Sequence, residues 1–277
     1  MSKYLICGFG NIGKHILKEF ESISDEFAIY DKYCHAQNIN GKNIDIGDES
    51  ILDDDYDIAF ICVPTEMNDD GSCDISEVEW IYDRLSKSDN VNTVVIKSAV
   101  PVGTAGTLFS KYTEEPSYQW CPTIVISPEF YGTTQHAEES PNFLILGTKI
   151  GNANSVVQLY QRVKDASFRF IFTDWKTAEL VKYMENCWIA TKVTFCNEFA
   201  TIAKYFRINY NELRECWLAD PRVSPSHTFV YEDKPYYDSH CLNKDIPALI
   251  SFANSKSPLM EAVNTINKAR KDEDRTS

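Results

Sequence analysis

A cysteine, a lysine and an aspartate stand close together in "YYDSHCLNKD", residues 236–245, where a polar, aromatic stretch gives way to an apolar helical pattern. A helix N-terminus carries partial positive charge and unpaired N–H groups, so Cys241 would ionise more readily there. Lys244, three residues on, favours the thiolate further. A thiolate in that setting is a nucleophile. The same residue also fits a plain structural part, because cysteine is a small apolar side chain that is often buried, and this chain has nine of them.

A second group of residues could hold a nucleotide. Gly8, Gly10 and Gly13, with Asn11 and Ile12 between them, form GxGxxG directly after an apolar strand pattern and at the start of a helical one. That context raises the motif above a chance match. Asp31 closes the next strand pattern, where a carboxylate would accept hydrogen bonds from an adenosine ribose and repel a 2′-phosphate, which predicts NAD rather than NADP.

The elements that must position these residues follow from periodicity. "KYLICGFGNIGKHILKEF" and "EFAIYDKY" read as strand, turn, helix and strand, and "YDIAFICVP", "NTVVIKSAVP", "TIVISPE" and "NFLILG" continue as apolar β-rich runs. Alternation with helical stretches such as "ISEVEWIYDRL" predicts an α/β, Rossmann-type doubly wound parallel sheet over residues 1–173. From Asp174, read as an N-cap, some thirty residues keep helical spacing without Gly or Pro, which predicts a long spine helix opening an all-helical domain over 174–277. "NELRECWL", "KDIPALISFAN" and "PLMEAVNTINKA" supply shorter helices, and "RKDEDRTS" reads as a frayed tail. The stretch "WIATKVTFCNEFATIAKYF" is apolar over more of its circumference than a small helical domain would cover, which predicts a homodimer packed through this helix.

Composition narrows the function classes. With 277 residues, 43% of them hydrophobic, the chain can build sizeable cores, and a formal charge of −14 argues against nonspecific binding to nucleic acid or an anionic membrane surface. Nine scattered cysteines fit reduced thiols in a cytoplasmic compartment better than a disulfide framework, and their spacing does not fit a zinc site. No run approaches the apolar length of a membrane span or a signal peptide, so the expectation is a cytoplasmic protein with neither metal nor membrane partner.

Several stretches together, in order, resemble the UDP-glucose/GDP-mannose dehydrogenase family. They are "VPTEMNDDGSCDIS", "VVIKSAVPVGT", "SPEF", "AELVKYMENCWIATKVTFCNEFA", "ADPRVS" and "CLNKD". The resemblance implies an NAD-dependent enzyme that oxidises the primary alcohol of a nucleotide sugar to a carboxylate through a cysteine-bound thiohemiacetal and thioester. By the same resemblance Cys241 is the nucleophile, and Lys182 and Asn186 contact the reacting oxygen and an ordered water. Asp245 orients or deprotonates water, and Glu129 assists thioester hydrolysis. Val63, Pro64, Thr65, Ser98 and Lys244 fall at cofactor positions, Tyr237 at a substrate position, and Arg222 matches an arginine that reaches a neighbouring subunit's substrate.

The chain also departs from that pattern. Ala99 replaces a threonine that bonds the catalytic water, and Thr133 stands where a second acid is expected. Tyr236, Tyr237, Asp238, Ser239 and His240 replace a glycine-rich loop before the cysteine, and Asn243 replaces a proline. The resemblance covers only the first two domains of a typical member, which implies a chain without the C-terminal nucleotide-binding domain. Two further readings stay open: a non-catalytic NAD- or partner-binding remnant of the family, and a two-electron dehydrogenase of the hydroxyacid type, which has no need of the cysteine.

Overall fold

The computed structural model describes residues 2–39, 42–87, 90–113, 121–130 and 141–276. In chain order the elements are β1 (Lys3–Cys7), α1 (Asn11–Glu19), β2 (Glu26–Tyr30), β3 (Ala36–Ile39), β4 (Lys42–Asp45), β5 (Tyr56–Ile61), α2 (Ser76–Ser86), β6 (Val91–Ile96), α3 (Thr104–Thr113), β7 (Thr123–Ile126), β8 (Phe143–Gly147), α4 (Asn154–Gln161), β9 (Arg169–Thr173), α5 (Trp175–Tyr205), α6 (Tyr210–Leu218), α7 (His240–Phe252) and α8 (Pro258–Thr276). The chain divides into two compact units, Met1–Glu66 with Asp74–Lys182, and Met67–Cys73 with Tyr183–Ser277. The expected second domain begins at residue 174, just before α5, whereas the second unit begins at Tyr183, nine residues further along.

The first unit is the predicted α/β fold. Its seven strands run in the order β2-β1-β5-β6-β7-β8-β9, parallel except where β7 meets β8. A single bridge from Tyr30 to Gly47 extends the sheet beyond β2, and β3 and β4 form a separate antiparallel hairpin. Both sheet faces are covered, which explains why the central strands are apolar without alternation. Ile16 of α1, its C-cap Phe20, and Val156 and Tyr160 of α4 pack on one face. On the other lie Val78, Ile81, Leu85, Leu108 and Ala178 of α2, α3 and the first turns of α5. Leu5, Ile6, Phe60 and Ile61 are fully buried, each worth roughly 1.5–3 kcal/mol of burial. The edge strand β9, half-exposed and without a hydrophobic run on either side, did not stand out as a strand in the sequence.

α5 is a single helix of 31 residues, about 46 Å at 1.5 Å per residue. Asp174 caps it as predicted: Oδ1 accepts from Thr177 N–H at 3.0 Å and Oδ2 from the Thr177 hydroxyl at 2.6 Å. Five residues on, Glu179 is buried and caps a different helix, its carboxylate accepting from the N–H groups of Gly103 (2.6 Å) and Ala105 (2.8 Å) at the start of α3.

The second unit packs α5, α7 and α8 around Cys187, Ala190, Tyr237, Leu242, Ile246, Met260 and Val263. The tight hairpin Met67–Cys73 belongs to it, and a Cβ on Gly71, whose φ is +85°, would lie 3.6 Å from Pro247 of α7. α8 runs to Thr276, so the segment read as a frayed tail is helical. Lys271 and Asp274 bond the loop before α7, partners more than thirty residues away that no local pattern could signal. Among the described residues no helix is long and apolar enough to cross a membrane.

Candidate active site

Two parallel strands with crossovers on opposite sides leave a crevice at their C-terminal ends, and β1 and β5 are such a pair. The glycine turn sits there. Gly8 has φ +94°, and a Cβ on it would stand 2.8 Å from the backbone of Cys62, so only glycine lets the β1 and β5 loops approach this closely. A Cβ on Gly13 would stand 2.1 Å from the carbonyl oxygen of Gly8, which fixes close packing of α1 on the turn. Gly10 differs, since a Cβ there would meet nothing within 4 Å.

Gly10 is the N-cap of α1, no side chain caps that helix, and its first turn carries no acid. Its leading N–H groups thus have no side-chain cap, and they lie at the positive end of the helix dipole, which suits a pyrophosphate. Asn11 is exposed and Ile12 half-buried in that first turn. Asp31 is fixed beside the turn: Oδ2 accepts from Phe9 N–H at 2.7 Å, and Oδ1 from the N–H groups of Tyr33 (2.9 Å) and Cys34 (3.0 Å). Oδ2 keeps one lone pair for a ribose hydroxyl. The residues present thus fit a dinucleotide.

The loops after β5 and β6 are tied to each other by the predicted hydroxyls. The Ser98 hydroxyl donates to Val63 O at 2.7 Å and that of Thr65 to Ala99 O at 2.8 Å. Both are buried, and Pro64 between them is exposed. Position 99 thus keeps a backbone contact to the neighbouring loop although its side chain is only a methyl group.

Glu129, after β7, is joined by a residue that the sequence reading did not single out. Lys97, at the end of β6, is 2% exposed, and its Nζ lies 3.1 Å from Oε2 of Glu129, which is 11% exposed. Oε1 accepts from Phe130 N–H at 2.8 Å. A lysine ending the apolar run "VVIK" was the one available signal, since such a residue is rarely buried unless paired. Lys182 reaches the residue after Glu129, its Nζ 5.1 Å from the centre of the Phe130 ring. Thr133 lies outside the described residues.

In the second unit Cys241 is the second residue of α7 and exposed. Ser239 caps that helix, accepting from Leu242 N–H at 3.3 Å. Asp245, one turn after the thiol, is fully buried; its Oδ2 accepts from Asn186 Nδ2 at 2.5 Å and its Oδ1 from Lys244 Nζ at 2.6 Å. Lys244 therefore sits on the carboxylate. Four of the predicted residues, Cys241, Lys244, Asp245 and Asn186, are thus gathered in one unit on two helices.

The remaining two are placed differently. Tyr237 is 4% exposed within the core of the second unit, its N–H and C=O both bonded to Asn267 and its hydroxyl without a partner. Burial pushes that phenol well above its usual pKa. Arg222 is exposed and forks onto Asp220 two residues earlier, a pairing that holds the Asp220 carboxyl below its ordinary range.

Two models of one family cover most of the chain. Residues 31–164 match the NAD-binding domain, and residues 176–269 the central domain, of the UDP-glucose/GDP-mannose dehydrogenase family. An uncharacterized protein of Methanocaldococcus jannaschii is 32% identical over 61% of this chain and 19% of its own length. A UDP-glucose 6-dehydrogenase of Rickettsia bellii is 28% identical over 76% of this chain and 49% of its own length. The chain thus spans about a fifth of the first relative and about half of the second. A UDP-glucose dehydrogenase structure from Pyrobaculum islandicum superposes with a TM-score of 0.80 over 97% of this chain and 68% of that one, at 22% identity, a likeness of fold.

Proposed function

Because the chain belongs to the UDP-glucose/GDP-mannose dehydrogenase family, with NAD as its cofactor, we propose that it carries out the NAD-dependent oxidation of a nucleotide sugar's primary alcohol to the carboxylate, with Cys241 as nucleophile. The observation that carries this reading is the first turn of α7: an exposed thiol, and one turn on a buried carboxylate held by Asn186 and Lys244. A buried carboxylate bonded on both oxygens is a fixed group, and a fixed group beside an accessible thiol is what covalent catalysis requires.

NAD would supply the hydride acceptor, one molecule for each of the two oxidation steps, the first leaving as NADH before the second binds. Gly8, Gly10 and Gly13 would let the backbone approach its pyrophosphate, and Asp31 would accept from a ribose hydroxyl. Lys182 and Asn186, four residues apart on α5, hold the reacting oxygen. Loss of a hydride from the alcohol carbon and of the hydroxyl proton to water gives the aldehyde, to which the Cys241 thiolate adds; loss of a second hydride from the tetrahedral adduct leaves a thioester. Water attacks the thioester, the acid and a proton are released, and the thiolate is restored, a hydrolysis that Glu129 would assist as the family resemblance implies. Asp245 orients water through its pairing with Asn186.

The assembly that fits this reading is a homodimer. α5 exposes Met184, Trp188, Phe195, Phe199 and Ile202, an apolar face at helical spacing that a second copy would cover, and Arg222 would then serve its neighbour's substrate. The test is NADH formation across a panel of UDP- and GDP-sugars with the product counted. Two NADH per carboxylate, lost in Cys241→Ala, is the expected result. One NADH per product, undiminished in Cys241→Ala, would instead identify a two-electron dehydrogenase. NAD binding without turnover would identify a binding protein.

A further inference from the structure

The loop that departs most from the family pattern is clasped by α8. Asn267, Lys271 and Asp274, spaced by four and three residues, share one face of that helix. Asn267 accepts from Tyr237 N–H at 2.8 Å and donates to Tyr237 O at 3.1 Å, and Asp274 accepts from the Tyr236 hydroxyl at 2.8 Å. Lys271 donates to Asp238 Oδ1 at 2.5 Å and to Asn243 Oδ1 at 2.9 Å, while Asn243 Nδ2 donates to the same Asp238 oxygen at 2.9 Å. Lys271, Asp238 and Asn243 therefore close a triangle that spans Cys241 from before the helix to its first turn.

We propose that Lys271 is a positioning residue for Cys241, fixing the chain on both sides of the thiol and neutralising the carboxylate that precedes it. The proposal rests on the reading of Cys241 as a nucleophile. Asp238 stands three residues before the thiol, and its contacts with Lys271, Asn243 and Lys234 hold its carboxyl well below the usual range, so it is an anion at any working pH. An uncompensated anion at a helix N-terminus would oppose a thiolate in the first turn. Of the other charged groups on these segments, Lys244 donates to Asp245, Lys234 pairs with Asp238 at 3.1 Å, and His240 adjoins the thiol in sequence. Lys271 is the partly buried cation, its side chain 18% exposed, that bonds both segments flanking the cysteine.

This explains what the bulky residues do. A glycine-rich loop offers a ligand its backbone but has no side chains by which a neighbouring helix could hold it. The side chains of Tyr236 and Asp238 add two points of attachment to α8, beside the two that Tyr237 makes through its backbone, so side-chain bonds help to set the nucleophile's approach. Asn243, where the family has proline, supplies one vertex of the triangle, which proline could not.

The experiment follows alkylation of Cys241 by iodoacetamide in the full chain between pH 6 and 10, read by mass spectrometry of the peptide, and uses no substrate. Lys271→Met is expected to raise the midpoint by about half a pH unit and slow alkylation roughly threefold below it, the scale of a partly exposed charge pair. Lys271→Arg, which keeps the charge, should restore both. An unchanged midpoint in Lys271→Met, or Lys271→Arg behaving as Lys271→Met does, would overturn the proposal. If Lys271→Met does not fold, Asp238→Asn serves instead: the midpoint should fall by a similar amount, and an unchanged one overturns the proposal equally. A chain that shows these shifts yet forms no NADH with any nucleotide sugar would refute the dehydrogenase reading and leave Lys271 in its role.

Discussion

Glu129→Gln is the perturbation whose cost the structure specifies most directly. Lys97 is 2% exposed and 3.1 Å from Glu129 Oε2, so the substitution leaves a buried ammonium facing a neutral amide while Phe130 N–H keeps an acceptor. The gross attraction at 3.1 Å is about 5 kcal/mol at an effective dielectric constant of about 20. Removing one partner of a buried pair costs roughly 3–5 kcal/mol, because the desolvated charge that remains has lost its compensation. Lys97→Met should cost somewhat less, since Glu129 is the more exposed partner. The double variant Lys97→Met/Glu129→Gln, with neither charge, should lie within about 2 kcal/mol of the parent, giving a coupling of roughly 3 kcal/mol or more. Urea-dependent hydrogen exchange on β6 and β7 would report the first unit alone. Additive single costs, with coupling below about 0.5 kcal/mol, would show that the pair is not the desolvated interaction described.

Other outcomes follow from the geometry. Gly13→Ala should abolish NAD binding by calorimetry, since its Cβ would stand 2.1 Å from a backbone oxygen that cannot move without opening the turn. Glu179→Gln should lower stability by about 1–3 kcal/mol in denaturant titration, because an amide can accept from only one of the two N–H groups at the start of α3 and sets its own N–H against the other. The lowered pKa of Asp238 means that the unfolded chain binds more protons below the ordinary carboxylate range, near pH ~4. Its contribution should be complete above that range and lost as pH falls below it, and in Lys271→Met the acid limb of the stability profile should be flatter. Trp188→Glu, on the exposed face of α5, should convert the proposed dimer to a monomer in light scattering with little loss of secondary structure.

What could be read from the sequence was local. The turn from Cys7 to Gly13 carries its own signals, and α5 announced itself by some thirty residues without glycine or proline after an aspartate that caps it. Signals that depend on distant partners were not legible. Lys97 and Glu129 meet because β6 and β7 are neighbours in the sheet, a fact of topology and not of spacing. The clasp of α8 on residues 236–238 escaped for the same reason: "RKDEDRTS" looks like a solvated tail until its partners are known. β9 was obscured because an edge strand half-open to solvent lacks the continuous burial that marks its neighbours.

The departures from the family pattern acquire a physical order once these partners are placed. A loop that had lost its glycines without compensation would leave its new polar groups unbonded, and would leave α8 free of a reason to hold its charged residues in register. Instead Tyr236, Asp238 and Asn243 each meet a partner on α8, and Tyr237 is fastened at both backbone groups. Changes at four positions along two segments thus agree with one another, which is the consistency across levels expected of a sequence that specifies one structure. The position of Cys241 is a product of that agreement. A different way of holding the loop, at an unchanged place in α7, is the simplest account of why the thiol, the buried carboxylate and its asparagine are all present where the glycines are not.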